Sequence, residues 1–303
     1  MSRIESTYKA RDVEETIDIY FYRPLGYVVA NACRAIRITP NAVTIASIII
    51  GVVVGRLLSY RDLMLNAWGI VLWIISDTLD SADGQLARMI NSKSKLGRIL
   101  DGFGSNIIFL SIYLHLLARM TDTYEIWWLW LFPLVLAGGI SHSIQSALAD
   151  YYRNAYLKFV IDARKSELES AEEIRAEYQA VSFFENPVRK ILLRVYLNYT
   201  VEQEMFSKNF QALRKRIDTT FGYDIPRWFS DEYRRVNKPL MKYYAILTTN
   251  TRMIVMFVCV MFDLVPLYFI IEIIGINGVM ILVTTHQEKL SKRLLAQIDE
   301  RKT

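Results

Sequence analysis

The chain is poor in the residues that staple small folds or build soft metal centres. Its 303 residues hold two cysteines, Cys33 and Cys259, too few for a disulfide framework and too isolated for a cysteine-built zinc or iron–sulfur site. Three histidines, His115, His142 and His286, are too scattered for a histidine-rich metal centre. Seven prolines and 13 glycines leave little room for long linkers, which points to a compact, mostly helical chain. The first 18 residues carry no apolar stretch, so no cleavable signal peptide is expected. What is abundant is apolar side chain. A hydrophobic fraction of 52%, an aromatic fraction of 13% and a positive mean hydropathy exclude a disordered chain and argue against an ordinary soluble enzyme.

The apolar residues come in runs long enough for a bilayer core of about 30 Å, which takes roughly 20 residues of helix. Ala42–Tyr60, Ile99–Met120, Ile126–Ala149, Ile246–Phe262 and Val265–Thr285 meet that test. A sixth run begins at Trp68 and meets Asp77, Asp80 and Asp83, so hydropathy alone makes it a buried half-span. The expected fold is an all-α polytopic membrane protein with six transmembrane helices. With six spans, 32 of the 36 lysines and arginines fall on one side and only Arg61 and Arg119 on the other. Arg56 and Arg252 lie within spans. Leaving out the long segment 150–243 still gives 15 against two, so both termini are expected to be cytoplasmic.

Residues 1–41 read as an interfacial amphipathic segment, in which Arg23, Arg34 and Arg37 interrupt aromatic and aliphatic side chains. Thr39-Pro40-Asn41 starts the first span, with proline where its missing N–H costs least. Residues 42–149 then hold spans one to four. Residues 150–243 are soluble in character, with 17 basic and 14 acidic side chains, and read as a helical cytoplasmic insert of two to four helices. Residues 165–180 form the clearest exposed helix in it. Residues 244–303 hold the last two spans and a basic tail. The sequon at Asn198 reads as chance on the cytoplasmic side, and no internal repeat is visible.

Aspartates within a span are costly and mark a site by default. Asp80 and Asp83 are three apart on a helix and share a face, with Asp77 on roughly the same side. Gly84 removes a side chain where something must approach, Arg88 closes the turn, and Gly97 opens the next helix. Asp101, one turn on, can face back toward the pair. Three converging carboxylates make an all-oxygen site for a hard cation, Mg2+ or Mn2+, that would hold a substrate's phosphates. The plainer reading is a salt-bridge network with Arg88, Lys95 or Arg98. Asp77 divides between supporting the ligands and simple helix polarity. Asp263, in a short outer turn, reads as solvation, Glu272 within the last span is less easily dismissed but the sequence does not identify its partner, and Ser141 beside His142 reads as a packing contact rather than a catalytic pair.

The spacing Asp80, Asp83-Gly84, Ala87-Arg88, Gly97, Asp101, Ser105 closely resembles the signature D-x2-D-G-x2-A-R-x8-G-x3-D-x3-D of the CDP-alcohol phosphatidyltransferase family, with seven of eight positions in agreement. Ile38–Thr44 is similar to the family's segment leading into its first span. The resemblance covers roughly residues 20–150 and, by position, the last two spans. It implies six transmembrane helices in a homodimer and a polar cavity open to the cytoplasm. Two divalent ions there bind a CDP pyrophosphate, and an acceptor hydroxyl attacks phosphorus to release CMP. By position, Asp80, Asp83 and Asp101 would be metal ligands, Gly84 and Ala87 would leave room for the cytidine, and Arg88 would fix the motif or the phosphates. Gly97 belongs to the same binding motif. In bacteria the location would be the inner or plasma membrane. No nucleic-acid partner is expected.

Ser105 departs from the pattern. The family's aspartate there is assigned as general base and ligand of the second metal. A serine hydroxyl is neutral near pH 7 and a poor ligand for a hard cation. An introduced substitution, a natural loss of activity, or a role passed to Asp77 or a substrate phosphate would each explain it; the intact surroundings favour the first. For the acceptor, Arg153, Lys158 and Arg252 suggest an anionic alcohol such as an inositol or glycerol phosphate, with CDP-diacylglycerol as donor. The same cations would also suit anionic membrane lipid headgroups. A CDP-amino-alcohol acting on diacylglycerol or ceramide uses the same motif, and a non-catalytic lipid-binding homologue or a cation pathway are the readings from other classes.

Overall fold

The computed structural model describes residues 10, 12–92, 95–162, 166 and 168–301, without the side chains of 95, 96 and 98. Among the described residues every regular element is helical, and six stretches are long and apolar enough to cross a bilayer. The protein is an all-α, polytopic integral membrane protein.

A π-helical turn, Asp18–Tyr22, leads into α1 (Arg23–Ala35). The first four spans are α2 (Pro40–Leu58), α3 (Leu63–Met89), α4 (Lys95–Tyr124) and α5 (Trp128–Tyr156), the last continuing through a π turn to Ile161. Then come α6 (Ala171–Ala180), α7 (Pro187–Met205) and α8 (Lys208–Phe221). α9 (Arg227–Ile246) and α10 (Thr249–Met261) make the fifth apolar stretch. α11 (Val265–Ile270), a π turn Ile271–Ile276 and α12 (Asn277–Glu300) make the sixth.

Local chemistry sets these boundaries. The Thr39 hydroxyl accepts from Ala42 N at the start of α2, and Asp62 Oδ1 accepts from Leu65 N at 2.8 Å at the start of α3. Three helices end in the reciprocal turn that follows a left-handed residue. Ile38 N donates to Cys33 O past Arg37, Ser92 N to Ala87 O past Asn91, and Leu264 N to Cys259 O past Asp263.

The acidic run from Trp68, expected as a half-span, is part of one unbroken helix of 27 residues. Hydropathy underestimates it because Ser76, Thr78, Asp83 and Gln85 turn into the protein rather than toward lipid. Between residues 162 and 246 there are four described helices, α6–α9. The helix expected over 165–180 starts at Ala171, where Ser170 and Glu173 form a reciprocal capping box; Lys165 and Glu167 lie outside the described residues. Residues 1–9 and Arg11 of the N-terminal segment also lie outside them.

The chain forms two compact units, and their limits fall between Val13 and Glu14 and inside α5, α10 and the Ile271–Ile276 turn. The first comprises Glu14–Ser141 and Met253–Ile273. In it, Gly51 and Gly55 of α2 and Gly104 of α4 allow a close helix crossing. A Cβ on Gly51 would stand 2.6 Å from the Ile108 side chain, and one on Gly104 2.4 Å from Ile48. α2 and α3 are joined by a reciprocal serine pair: Ser47 Oγ donates to Ser76 O at 2.9 Å and Ser76 Oγ to Ser47 O at 2.8 Å. Trp73, Phe109, Tyr113, Tyr268 and Phe269 form an edge-to-face aromatic chain through the core, closed by a 2.7 Å contact between the Tyr113 and Tyr268 hydroxyls.

Arg119, almost fully buried, ties the helix ends together. Its guanidinium donates to the carbonyls of Leu58, Tyr60 and Val260, to Asn66 Oδ1, and to the Asp263 carboxylate at 2.9 Å. Arg61 joins the same carboxylate at 2.8 Å. Asp263, read from sequence as mere solvation, is therefore the anchor of a buried arginine.

The second unit comprises His142–Arg252, residues 274–301 and the short segment 12–13. Its core is aromatic: Tyr151, Tyr152, Tyr156, Phe159, Phe210, Phe229, Tyr233 and Tyr244 are all buried. Glu288 of α12 accepts from Asn209 N and Phe210 N, satisfying the free amides at the start of α8. Many of the side chains left facing outward on the spans are aliphatic, among them Ile45, Ile49, Leu110, Leu114, Ile254, Val258, Ile281 and Leu282. Exposed Trp127, Trp128 and Trp130 mark a headgroup level at the α4–α5 turn.

Candidate metal centre

Asp80 and Asp83 lie in the last three turns of α3, and Asp101 lies two turns into α4. One carboxylate oxygen from each falls within 4.8 Å of the others. The α2–α3 serine pair and the close α2–α4 crossing hold the two helices that carry them.

Asp83 is buried and accepts a hydrogen bond from the Thr44 hydroxyl of α2, a hydroxyl that also lies 3.1 Å from Pro40 O. Asp80 lies within hydrogen-bonding reach of Asp101. Carboxylates gathered this closely repel one another unless a cation lies among them. Three oxygen donors with no sulfur or imidazole among them fit a hard divalent cation.

Arg88 lies near enough to act on the Asp83 charge, and its guanidinium spans the space beside Gly84. The atoms nearest to a Cβ at Gly84 would be those of the Arg88 guanidinium, from 3.5 Å outward, which is ordinary contact, so packing against them does not require glycine there. Ala87 is half-buried on the last turn of α3, and Gly97 lies in the first turn of α4. The Lys95 and Arg98 side chains, the other partners in the salt-bridge reading, lie outside the described residues.

Asp77 takes a different partner. It is hydrogen-bonded to Tyr22, in the turn before α1, with Asp18, Glu15 and Arg23 in its electrostatic surroundings. Tyr22 is buried, and burial together with the Asp77 charge pushes its phenol well above the ordinary tyrosine value. α1 docks on the same half of α3: Gln85 Nε2 donates to Arg23 O at 3.0 Å, and a Cβ on Gly26 would come within 2.9 Å of Ser81 Oγ. Arg23 is itself held by Glu14 at 2.9 Å. The sequence reading gives no role to Thr44, in the stretch similar to the family's lead-in, or to Tyr22, in the interfacial segment; the proximity of Thr44 to the span start is the available signal.

Ser105 is exposed one turn beyond Asp101, and its hydroxyl donates back to Asp101 O at 3.3 Å. The three cations read for the acceptor belong to the second unit. Arg153 is half-buried. Lys158 pairs with Asp218 at 2.6 Å. Arg252 is fully buried and donates to Gln145 Oε1 at 2.8 Å and to Leu247 O at 3.2 Å, while Gln145 in turn donates to Asn277.

The all-oxygen acidic cluster carried by α3 and α4 is one that could hold a hard divalent cation. Residues 37–163 match the family model described as CDP-alcohol phosphatidyltransferase. The match takes in α2, α3, α4 and α5, and with them Thr44 and all three clustered aspartates. The family's reaction is the transfer of a substituted phosphate group in phospholipid synthesis. No curated protein and no solved structure matches the chain.

Proposed function

We propose that the protein is a metal-dependent CDP-alcohol phosphatidyltransferase that moves a phosphatidyl group from CDP-diacylglycerol to an anionic alcohol and releases CMP. The convergence of Asp80, Asp83 and Asp101 within 4.8 Å carries this reading. Asp80, Asp83 and Asp101 would hold Mg2+ or Mn2+, which when bound neutralises pyrophosphate charge and favours departure of CMP. Thr44 fixes the Asp83 carboxylate so that its remaining lone pairs face the cluster. Gly84 and Ala87 leave the wall of the site low enough for a nucleotide, and Arg88 offers a planar fork to phosphate oxygens. The active site and both termini face the cytoplasm in this reading, supported by the 32-to-two distribution of basic residues. A homodimer is the expected assembly.

Proton removal from the acceptor hydroxyl is the step for which this chain has an unusual residue. Ser105 is neutral and bonded back to its own helix, so it neither takes that proton nor supplies a second-metal ligand. Asp77, held by Tyr22, is the nearest alternative carboxylate along α3. The acceptor reading, an inositol- or glycerol-phosphate type of alcohol, rests on Arg153, Lys158 and Arg252. Of these, Lys158 would have to leave Asp218 and Arg252 would have to leave Gln145 to meet a phosphate. Ser105 also gives a specific reason for a second reading, a homologue that binds CDP-lipid without turning it over.

The test is CMP release with Mg2+ or Mn2+ across anionic and amino-alcohol acceptors, for this chain and for Ser105→Asp. Metal-dependent release that rises sharply in Ser105→Asp is expected. An unchanged rate would refute the role given to position 105, and CDP-lipid binding with no release in either protein would favour the non-catalytic reading.

A further inference from the structure

We propose that α7 is an in-plane membrane anchor, lying at the lipid headgroup boundary with Phe183, Phe184, Val188 and Ile191 turned into the acyl region. The inference does not depend on the transferase reading. α7 is amphipathic in an unusual sense, with apolar side chains on both faces. One face buries Leu192, Leu193 and Leu197 within its unit. The other leaves Val188, Ile191, Val201 and Met205 exposed, and the loop before it presents Phe183 and Phe184, the latter 95% exposed. A water-facing surface of this kind is disfavoured, whereas an interfacial helix needs one.

Position along α5 favours lipid as the surface that covers it. The apolar run of α5 read from sequence ends at Ala149, within the second unit, so the boundary between acyl chains and headgroups falls near that residue. At this depth α7 is fastened to α5: Tyr199 OH donates to Ser146 O, Gln203 Nε2 donates to Ala147 O at 3.0 Å, and Ser143 Oγ donates to Glu202. α7 is therefore held at that boundary.

The charges around the apolar side chains suit an anionic lipid surface. Arg194 is exposed and Arg189 is partly so, beside its partner Glu177. The acids of α7 face inward instead, Glu202 to Ser143 and Glu204 to Ala171 N. Glu185 is the exposed acid of the patch.

The experiment places p-benzoylphenylalanine at position 184 in one full-length protein and at 191 in another, with Ile49, exposed on the α2 span, as the lipid-facing reference. Each protein is irradiated in vesicles of phosphatidylcholine and phosphatidylglycerol and digested, and the labelled peptide is weighed. Phospholipid adducts at 184 and 191, at yields comparable to position 49, are expected. No lipid adduct at either position while position 49 gives one overturns the proposal. So does a cross-linked dimer through 184 or 191, which would assign the face to a second copy of the chain.

Discussion

The Thr44 hydroxyl, on the first span, donates to the carboxylate of Asp83, on the second, across 39 residues of sequence. A buried carboxylate with one lone pair occupied by a fixed donor points its other lone pairs in a set direction. Partners of this kind behind a metal ligand are worth about 10- to 100-fold in metal affinity. Thr44→Val keeps the shape and deletes the donor, so it is expected to weaken Mn2+ binding within that range, with Thr44→Ser restoring it. Titration of the detergent-solubilised protein with Mn2+, read by the electron paramagnetic resonance of free ion, measures this without turnover. Equal affinity in Thr44→Val and the parent would remove Thr44 from the site.

The acidic cluster should cost stability when no cation is bound. Neutralising one member relieves the repulsion among three carboxylates and removes a ligand together. Asp101→Asn is therefore expected to raise the unfolding midpoint in EDTA by roughly 2–4 °C, about 1 kcal/mol for a chain of this size. The same change should abolish the rise that Mn2+ gives the parent. Thermal denaturation with and without metal tests both halves, and a lower midpoint in EDTA would argue that the cluster is a structural network instead.

The Arg119–Asp263 pair lies at the opposite end of the first unit from the aspartates on α3. Arg119 satisfies the carbonyls of Leu58, Tyr60 and Val260 as well as the carboxylate, so Arg119→Met leaves several polar groups without their donor. A loss of about 3 kcal/mol is expected, as for other buried pairs deprived of one partner. Asp263→Asn should cost less, because that carboxylate is partly exposed and an amide still accepts a hydrogen bond. Denaturation midpoints of the two single variants and the double variant give the coupling directly.

Asp12 predicts an acid-sensitive attachment of the N-terminal segment. Burial works to raise its carboxyl, but hydrogen bonds from Lys238 and Tyr156, with the charges of Lys238 and Arg234, hold it below the ordinary range. A carboxyl depressed by folding contributes stability that is fully present above its unfolded value, about 3.9. That contribution disappears as pH falls through the lower folded value. Amide exchange in residues 12–17 should therefore be slow and level from about pH 7 to pH 5 after correction for the intrinsic rate, and should quicken toward pH 3. In Asp12→Asn it should be faster throughout, without that acid step.

The spacing of Asp80, Asp83, Gly84, Arg88, Gly97 and Asp101 made the centre readable before any coordinates. Helical periodicity alone puts the first two carboxylates on one face, and the loop is short enough to bring the third back. The six apolar stretches were equally readable, because a bilayer imposes a length that runs of side chains must meet. The full extent of α3 was less so, since hydropathy counts its buried serine, threonine and glutamine as if they faced lipid.

What the amino-acid sequence determined by itself was therefore whatever a local period or a fixed solvent thickness decides: the spans, the acidic face, and the glycine and arginine beside it. Only the tertiary structure decided which residues support that face. Thr44 behind Asp83, Tyr22 on Asp77, Ser47 against Ser76 and Asp263 beneath Arg119 are pairings between helices, and a hydroxyl or carboxylate carries no mark of the partner it will meet. Those partners are chosen by the angle and distance at which whole helices pack, which the glycines of α2 and α4 set by letting two backbones come together.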